Sequence, residues 1–175
     1  MAASTAAGIK YKNRQDMAMI YSKQPCKSAG TFTTNLVKAA PVKWDKNQVT
    51  SGADAQAVII NAGIANACTG EEGMGYCEQT AKAAAEVLGV AENGVLVAST
   101  GVIGMQLPID KIAAGVKTMA PLLGYLLVFC ICSHNGLRCF CTFLQAVTEK
   151  GGHSLYACCD LVNRKLHTNN TGRSN

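Results

Sequence analysis

The run V-A-S-T-G-V-I-G at residues 97–104 limits the choice of fold more than any other stretch of this chain. Residues 95–98 (V-L-V-A) have the length and apolar character of a buried strand, and they break at Ser99, Thr100 and Gly101 into a turn. The turn feeds a helix that starts near Pro108. In sheets flanked by helices, ligands meet the protein at such strand ends, so this is where chemistry is expected. The chain's 175 residues are enough to bury a core, as one domain or as a piece of a larger one. Its 49% hydrophobic and 15% charged residues fit a soluble globular protein.

The charge pattern narrows the partners. A net charge of +5 comes without a clustered basic stripe and interleaved aromatics, which argues against nucleic acid. The most apolar run, residues 126–132, falls far short of the roughly 20 residues that span a bilayer, so no membrane segment is expected. The start M-A-A-S-T-A-A-G has neither the basic nor the apolar part of a secretory signal, and a cytoplasmic location with reduced thiols is expected.

Taken in order, residues 17–22 (M-A-M-I-Y-S) and 29–34 (A-G-T-F-T-T) read as two strands joined by a loop containing Pro25. Residues 40–44 read as a third, at a sheet edge because of Pro41. Lys10, Lys12 and Arg14 read as a solvated turn, Lys38 as surface and Trp44 as core. Residues 57–61 (A-V-I-I-N) form a buried-type strand ending in N-A-G-I-A-N-A-C-T-G, a loop dense in Asn, Gly and Thr and therefore a candidate site wall. Asn61 and Asn66 are candidate substrate-binding residues on this loop. The plainer alternative, strongest for Asn66 and Thr69, is that they only shape a tight loop.

Ala81, Ala84, Ala85 and Leu88 recur at helical spacing, which predicts a helix over 76–88 stopped by Gly89. Ile109, Ile112, Ala113 and Val116 predict a second over 108–119, with Pro108 in its first turn. Strands alternating with helices imply an α/β or layered α+β architecture.

Four strings in register, T-F-T-T-N (31–35), K-A-A-P-V (38–42), I-N-A-G-I-A-N-A-C-T-G (60–70) and S-T-G-V-I-G (99–104), closely resemble the N-terminal part of the arginine-biosynthesis acetyltransferase family, the bifunctional glutamate/ornithine N-acetyltransferases. The likeness covers residues 3–124. It implies the layered α/β fold of that self-processing family, of which this chain is a fragment. It implies acetyl transfer from N-acetylornithine to glutamate, with acetyl-CoA as a further donor and no cofactor. In the family a Thr, freed as the N-terminus of a β-chain by cleavage of an Ala–Thr bond, carries the acetyl group; its own α-amine supplies the base a Thr hydroxyl needs. The family's oxyanion hole is a Thr-Gly pair, which falls on Thr100 and Gly101. The resemblance also implies an α/β heterotetramer.

The chain departs from that pattern after Gly124. It contains no Ala–Thr bond, so the nucleophile is absent. Residues 125–175 are expected to be a non-homologous, poorly ordered tail. Six of the nine cysteines and all three histidines lie there. Cys130, Cys132, Cys139, Cys141, Cys158 and Cys159 with His134 and His153 suggest a zinc-binding module as an alternative, although C-x-C and C-C spacings suit zinc less well than C-x₂-C. A different explanation comes from the genetic code. When each residue is paired with the one whose number brings the sum to 272, all 28 pairs from Val97/Asn175 to Gly124/Thr148 have codons that are reverse complements. Met105 and Met119 face His167 and His153, as ATG faces CAT. Residues 148–175 thus read as an antisense translation of 97–124, and no metal site is expected anywhere in the tail, residues 125–175.

Overall fold

The computed structural model of the chain describes residues 1–124, together with the backbone of two short paired strands, Cys130–Ile131 and Phe140–Cys141. The side chains of the zinc-type cluster and the whole antisense segment of the tail therefore lie outside what is described.

Four strands, β1 (Ala2–Thr5), β2 (Met17–Cys26), β3 (Ala55–Asn61) and β4 (Val95–Ser99), form one sheet in the order β1-β2-β3-β4. The first three are antiparallel neighbours; β3 and β4 run parallel, Ala57 opposite Val95 and Asn61 opposite Ser99. A parallel pair needs a crossover, supplied by α2 (Glu72–Leu88). Two further helices, α1 (Ala40–Thr50) and α3 (Ile109–Met119), complete a mixed α/β fold.

Side-chain alternation sorts the core. Ala3, Met17, Met19, Ala57, Ile59 and Val95 share one cluster with α2 and α3, while Ile20, Val58 and Leu96 form a separate one. Ala81 and Ala84 on α2 are fully buried, and their small side chains let the helix lie close to the sheet. On α3, Ile112, Val116 and Met119 recur on the buried face, each contributing about 1.5–3 kcal/mol by leaving water. Gly89 ends α2 in the left-handed conformation at φ 66°, as its position after the last periodic residue predicts.

Two predicted strands are corrected. Residues 40–44 begin helix α1 instead of forming an edge strand: Pro41 sits in the first turn, where its missing N–H costs nothing. Residues 29–34 form no regular element. The first strand instead continues to Cys26, through a register irregularity between Tyr21 and Cys26 that accommodates Pro25. Strand β1, of small residues A-A-S-T, carries no pattern strong enough to predict it.

Candidate active site

The parallel pair β3/β4 does not separate where its strands end. Thr100 N–H donates to Asn61 O (3.0 Å), Val102 N–H to Gly63 O (3.1 Å), Ala65 N–H to Val102 O (2.9 Å) and Gly104 N–H to Ala67 O (2.9 Å). The ladder thus continues through both exit loops and fixes one against the other. Gly101 lies at φ 134°, a region that side-chain-bearing residues rarely adopt. A Cβ there would collide with the Gly63 carbonyl and stand 2.6 Å from Ile64 N. The glycine at 101 is therefore what lets the two loops touch.

The β3 side is filled by a closed polar network. Asn61 and Asn66 are 4% and 2% exposed. Asn61 Nδ2 donates to Ile64 O (2.8 Å). Asn66 Nδ2 donates to Gly73 O (2.8 Å), and its Oδ1 accepts from Thr69 Oγ1 (2.7 Å). Ser99 Oγ accepts from Asn66 N–H (2.8 Å), tying the loop to the end of β4. Gly73 leaves room for this arrangement, because a Cβ there would meet Thr69 Oγ1, Ala40 Cβ and Asn66 Oδ1. Ser99 is a member of the network that sequence reasoning missed; its signal was its place opposite Asn61 at the strand end.

The β4 side differs. Thr100 and Gly101 are partly exposed, and among the described residues no hydrogen bond involves the Thr100 hydroxyl or the Gly101 N–H. A hydroxyl and a main-chain N–H, adjacent in sequence and unspent, stand on a turn held from behind by the paired loops. Such a turn can donate to an oxygen on which negative charge develops.

Beneath the turn, α1 closes the free edge of β4. Trp44 Nε1 donates to Val95 O (3.0 Å), and Asp45 Oδ1 accepts Val97 N–H (2.9 Å). Two consecutive side chains thus occupy main-chain groups that a fifth strand would otherwise use. Burial pushes the Asp45 carboxyl up to about 7, against the opposing pull of the Val97 N–H. Burial, reinforced by the Asp45 charge, pushes the Cys77 thiol up to about 12, so this thiol is inert packing against Asn66 and Val97. Sequence reasoning missed Asp45; an Asp beside the only Trp was its one visible trace. Lys38 is partly buried, and no group of three or more metal-ligating residues occurs among the described residues. No helix among them is long and apolar enough to cross a membrane.

The sequence model of the ArgJ family matches residues 1–143, a span that runs past Gly124. The arginine biosynthesis bifunctional protein ArgJ of Caldanaerobacter subterraneus subsp. tengcongensis is 44% identical over 154 residues, covering 86% of this chain and 36% of that protein. Its counterpart from Symbiobacterium thermophilum is 47% identical over 122 residues, or 69% of this chain and 30% of that one. The chain spans about a third of the length of these curated relatives. Among solved structures, ornithine acetyltransferase from Mycobacterium tuberculosis, complexed with ornithine, superposes with a TM-score of 0.65 at 44% identity, over 69% of this chain and 65% of that one. The crystal structure of the bifunctional protein from Bacillus halodurans gives 0.63 at 38% identity, over 68% and 63%.

Proposed function

The chain belongs to the ArgJ family, and from that premise we propose that it carries the oxyanion-binding turn of an N-acetylornithine:glutamate acetyltransferase. In the reaction we assign to the whole enzyme, a Thr hydroxyl outside this chain adds to the acetyl carbonyl of N-acetylornithine. The carbonyl oxygen takes up the negative charge. The C–N bond then breaks, ornithine leaves with the proton taken from the hydroxyl, and the acetyl group remains as a Thr ester. The amine of glutamate attacks that ester, restoring the hydroxyl and giving N-acetylglutamate. Acetyl-CoA serves as a second donor to the same Thr, and no cofactor takes part.

Thr100 and Gly101 face the charged intermediate in both halves of this cycle. The observation that carries the reading is that neither the Thr100 hydroxyl nor the Gly101 N–H has a protein acceptor among the described residues, on a turn that the paired loops hold in place. Each such donor is worth about 2.7–4 kcal/mol in measured oxyanion holes. Asn61 and Asn66 act behind the turn as part of its support, since their side chains are spent on internal bonds. The partner is the remaining part of the family chain, including the β-chain and its Thr. Leu36 and Val37, just before α1, and Ile103, in the turn itself, stand 97%, 79% and 61% exposed, as expected of a surface completed by further polypeptide.

The test is reconstitution. The 175-residue chain alone is expected to show no acetyl transfer from N-acetylornithine to glutamate, and transfer is expected when it is mixed with the complementary part of the Caldanaerobacter relative. Transfer by the chain alone, or none from an assembled complex, contradicts the proposal. We infer further that residues 148–175 carry no selected chemistry, being the antisense of 97–124. Source DNA whose bases in the two stretches are not reverse complements would refute this.

A further inference from the structure

The loop between β1 and β2 holds three cations, Lys10, Lys12 and Arg14, within five residues. It is not a loose surface turn. Ile9 is 4% exposed. The Asp16 carboxylate accepts Ala7 N–H and Ile9 N–H, each at 2.7 Å. The Asp16 carbonyl accepts Ala62 N–H at 2.8 Å, which stitches the loop to the exit of β3. Lys111 Nζ, reaching from α3, donates to Gly8 O at 2.8 Å. The buried acid of this loop is thus committed to main-chain N–H groups.

That anchoring puts Lys10 beside the turn. A Cβ on Gly63 would stand 3.1 Å from Lys10 Cβ, and Gly63 is the residue against which Gly101 packs. Lys10 Nζ lies 5.2 Å from the centre of the Tyr11 ring, and Arg14 Cζ lies 5.9 Å from the same centre. The Tyr11 face thereby holds two cations on one loop. Lys10 and Lys12 are exposed and bridge to no carboxylate among the described residues, where the recorded ion pair is Lys27 with Asp54.

We infer that the loop carrying Lys10 and Lys12 is an anion-recognition site for the substrate whose acetyl group reaches the Thr100–Gly101 turn. It deepens the proposed function and rests on that reading of the turn. The group it takes is a carboxylate or a phosphate. The first belongs to the amino-acid substrates and the second to coenzyme A. With its Cβ against Gly63 and its exposed ammonium over Tyr11, Lys10 would restrain the distal, charged end of a substrate while the acyl end reacts. Charge-assisted hydrogen bonds of this type are stronger than neutral ones.

The experiment is a titration of the isotope-labelled 175-residue chain at constant ionic strength, followed at the amides of Lys10, Gly63 and Gly101. The probes are L-glutamate, coenzyme A and phosphate-free pantetheine. At least one anionic probe is expected to move these amides. Lys10→Gln is expected to weaken that probe about ten- to a hundredfold, with Lys12→Gln acting in the same direction, while Lys46→Gln on distant α1 leaves it unchanged. Response to glutamate assigns a carboxylate; response to coenzyme A without response to pantetheine assigns a phosphate. The inference is overturned if neither anion moves the amides, if Lys10→Gln binds as the native chain does, or if Lys46→Gln weakens binding equally. Anion binding that persists where reconstituted transfer fails would refute the reading of the turn alone. Transfer without anion binding would refute this inference alone.

Discussion

The exits of β3 and β4 are neighbours, parallel and bound to each other, yet they treat their polar groups in opposite ways. Beyond β3, Asn61, Asn66 and Thr69 are buried, and their side chains bond within the protein. Beyond β4, one residue further along the ladder, the Thr100 hydroxyl and Gly101 N–H bond to nothing in the described chain. A buried polar group without a partner costs about 1–3 kcal/mol, so the first loop is built for stability. Donors left open on a rigid backbone contribute little to folding and are ready for a ligand. Thr and Gly are thus spent on internal bonds and packing at one strand end and left open at the next.

This contrast can be broken most severely where the two loops touch. Gly101→Ala puts a side chain at φ 134° and into the Gly63 carbonyl. A loss of about 4 kcal/mol or more is expected in urea unfolding, and a loss below about 1 kcal/mol would mean the loops separate readily. Asn66→Ala attacks the closed side alone. It strands Gly73 O and the Thr69 hydroxyl, and is expected to cost about 3 kcal/mol with the same readout.

Asp45 sharpens the comparison from beneath. Its carboxyl titrates near 7 in the fold against a reference of 3.8, so the folded state holds a proton that the unfolded state has released. Stability from this group is therefore full below about pH 4, falls as pH rises towards 7, and stays reduced above. The decline is expected to be on the order of 2 kcal/mol, since the residue as a whole keeps some solvent contact. Asp45→Asn keeps an oxygen for Val97 N–H. It should unfold at higher urea than the native chain at pH 8 and lack that part of the decline; an unchanged pH profile would exclude Asp45 as its source.

How far the sequence alone reaches follows the same physics. The helices α2 and α3 and the strands β3 and β4 were legible because burial imposes a period on apolar residues, as at Ile112 and Val116. Helix α1 was misread, because Pro41 suits both a strand edge and a first helical turn and only tertiary packing decides. Thr100 and Gly101 were placed on a turn by local pattern, and the role proposed for them came from resemblance. The plainer reading of Asn66, that it only shapes its loop, was legible, but how fully its side chain is bonded while that of Thr100 is left open was not. It depends on where each side chain's partners lie, and Ser99, Gly73 and Ile64 are brought there only by folding.

The smallest structural change is the most direct test. Thr100→Val keeps the shape and the main chain and removes a hydroxyl that bonds to nothing in the described protein, so the unfolding midpoint should shift by less than about 0.5 kcal/mol. The decisive measurement is acetyl transfer from N-acetylornithine to glutamate by the complex of this chain with the complementary part of its relative, comparing native and Thr100→Val. The account predicts the same assembly and nearly the same KM, with kcat lower by about a hundred- to a thousandfold. An assembled Thr100→Val complex that turns over at the native rate would contradict it.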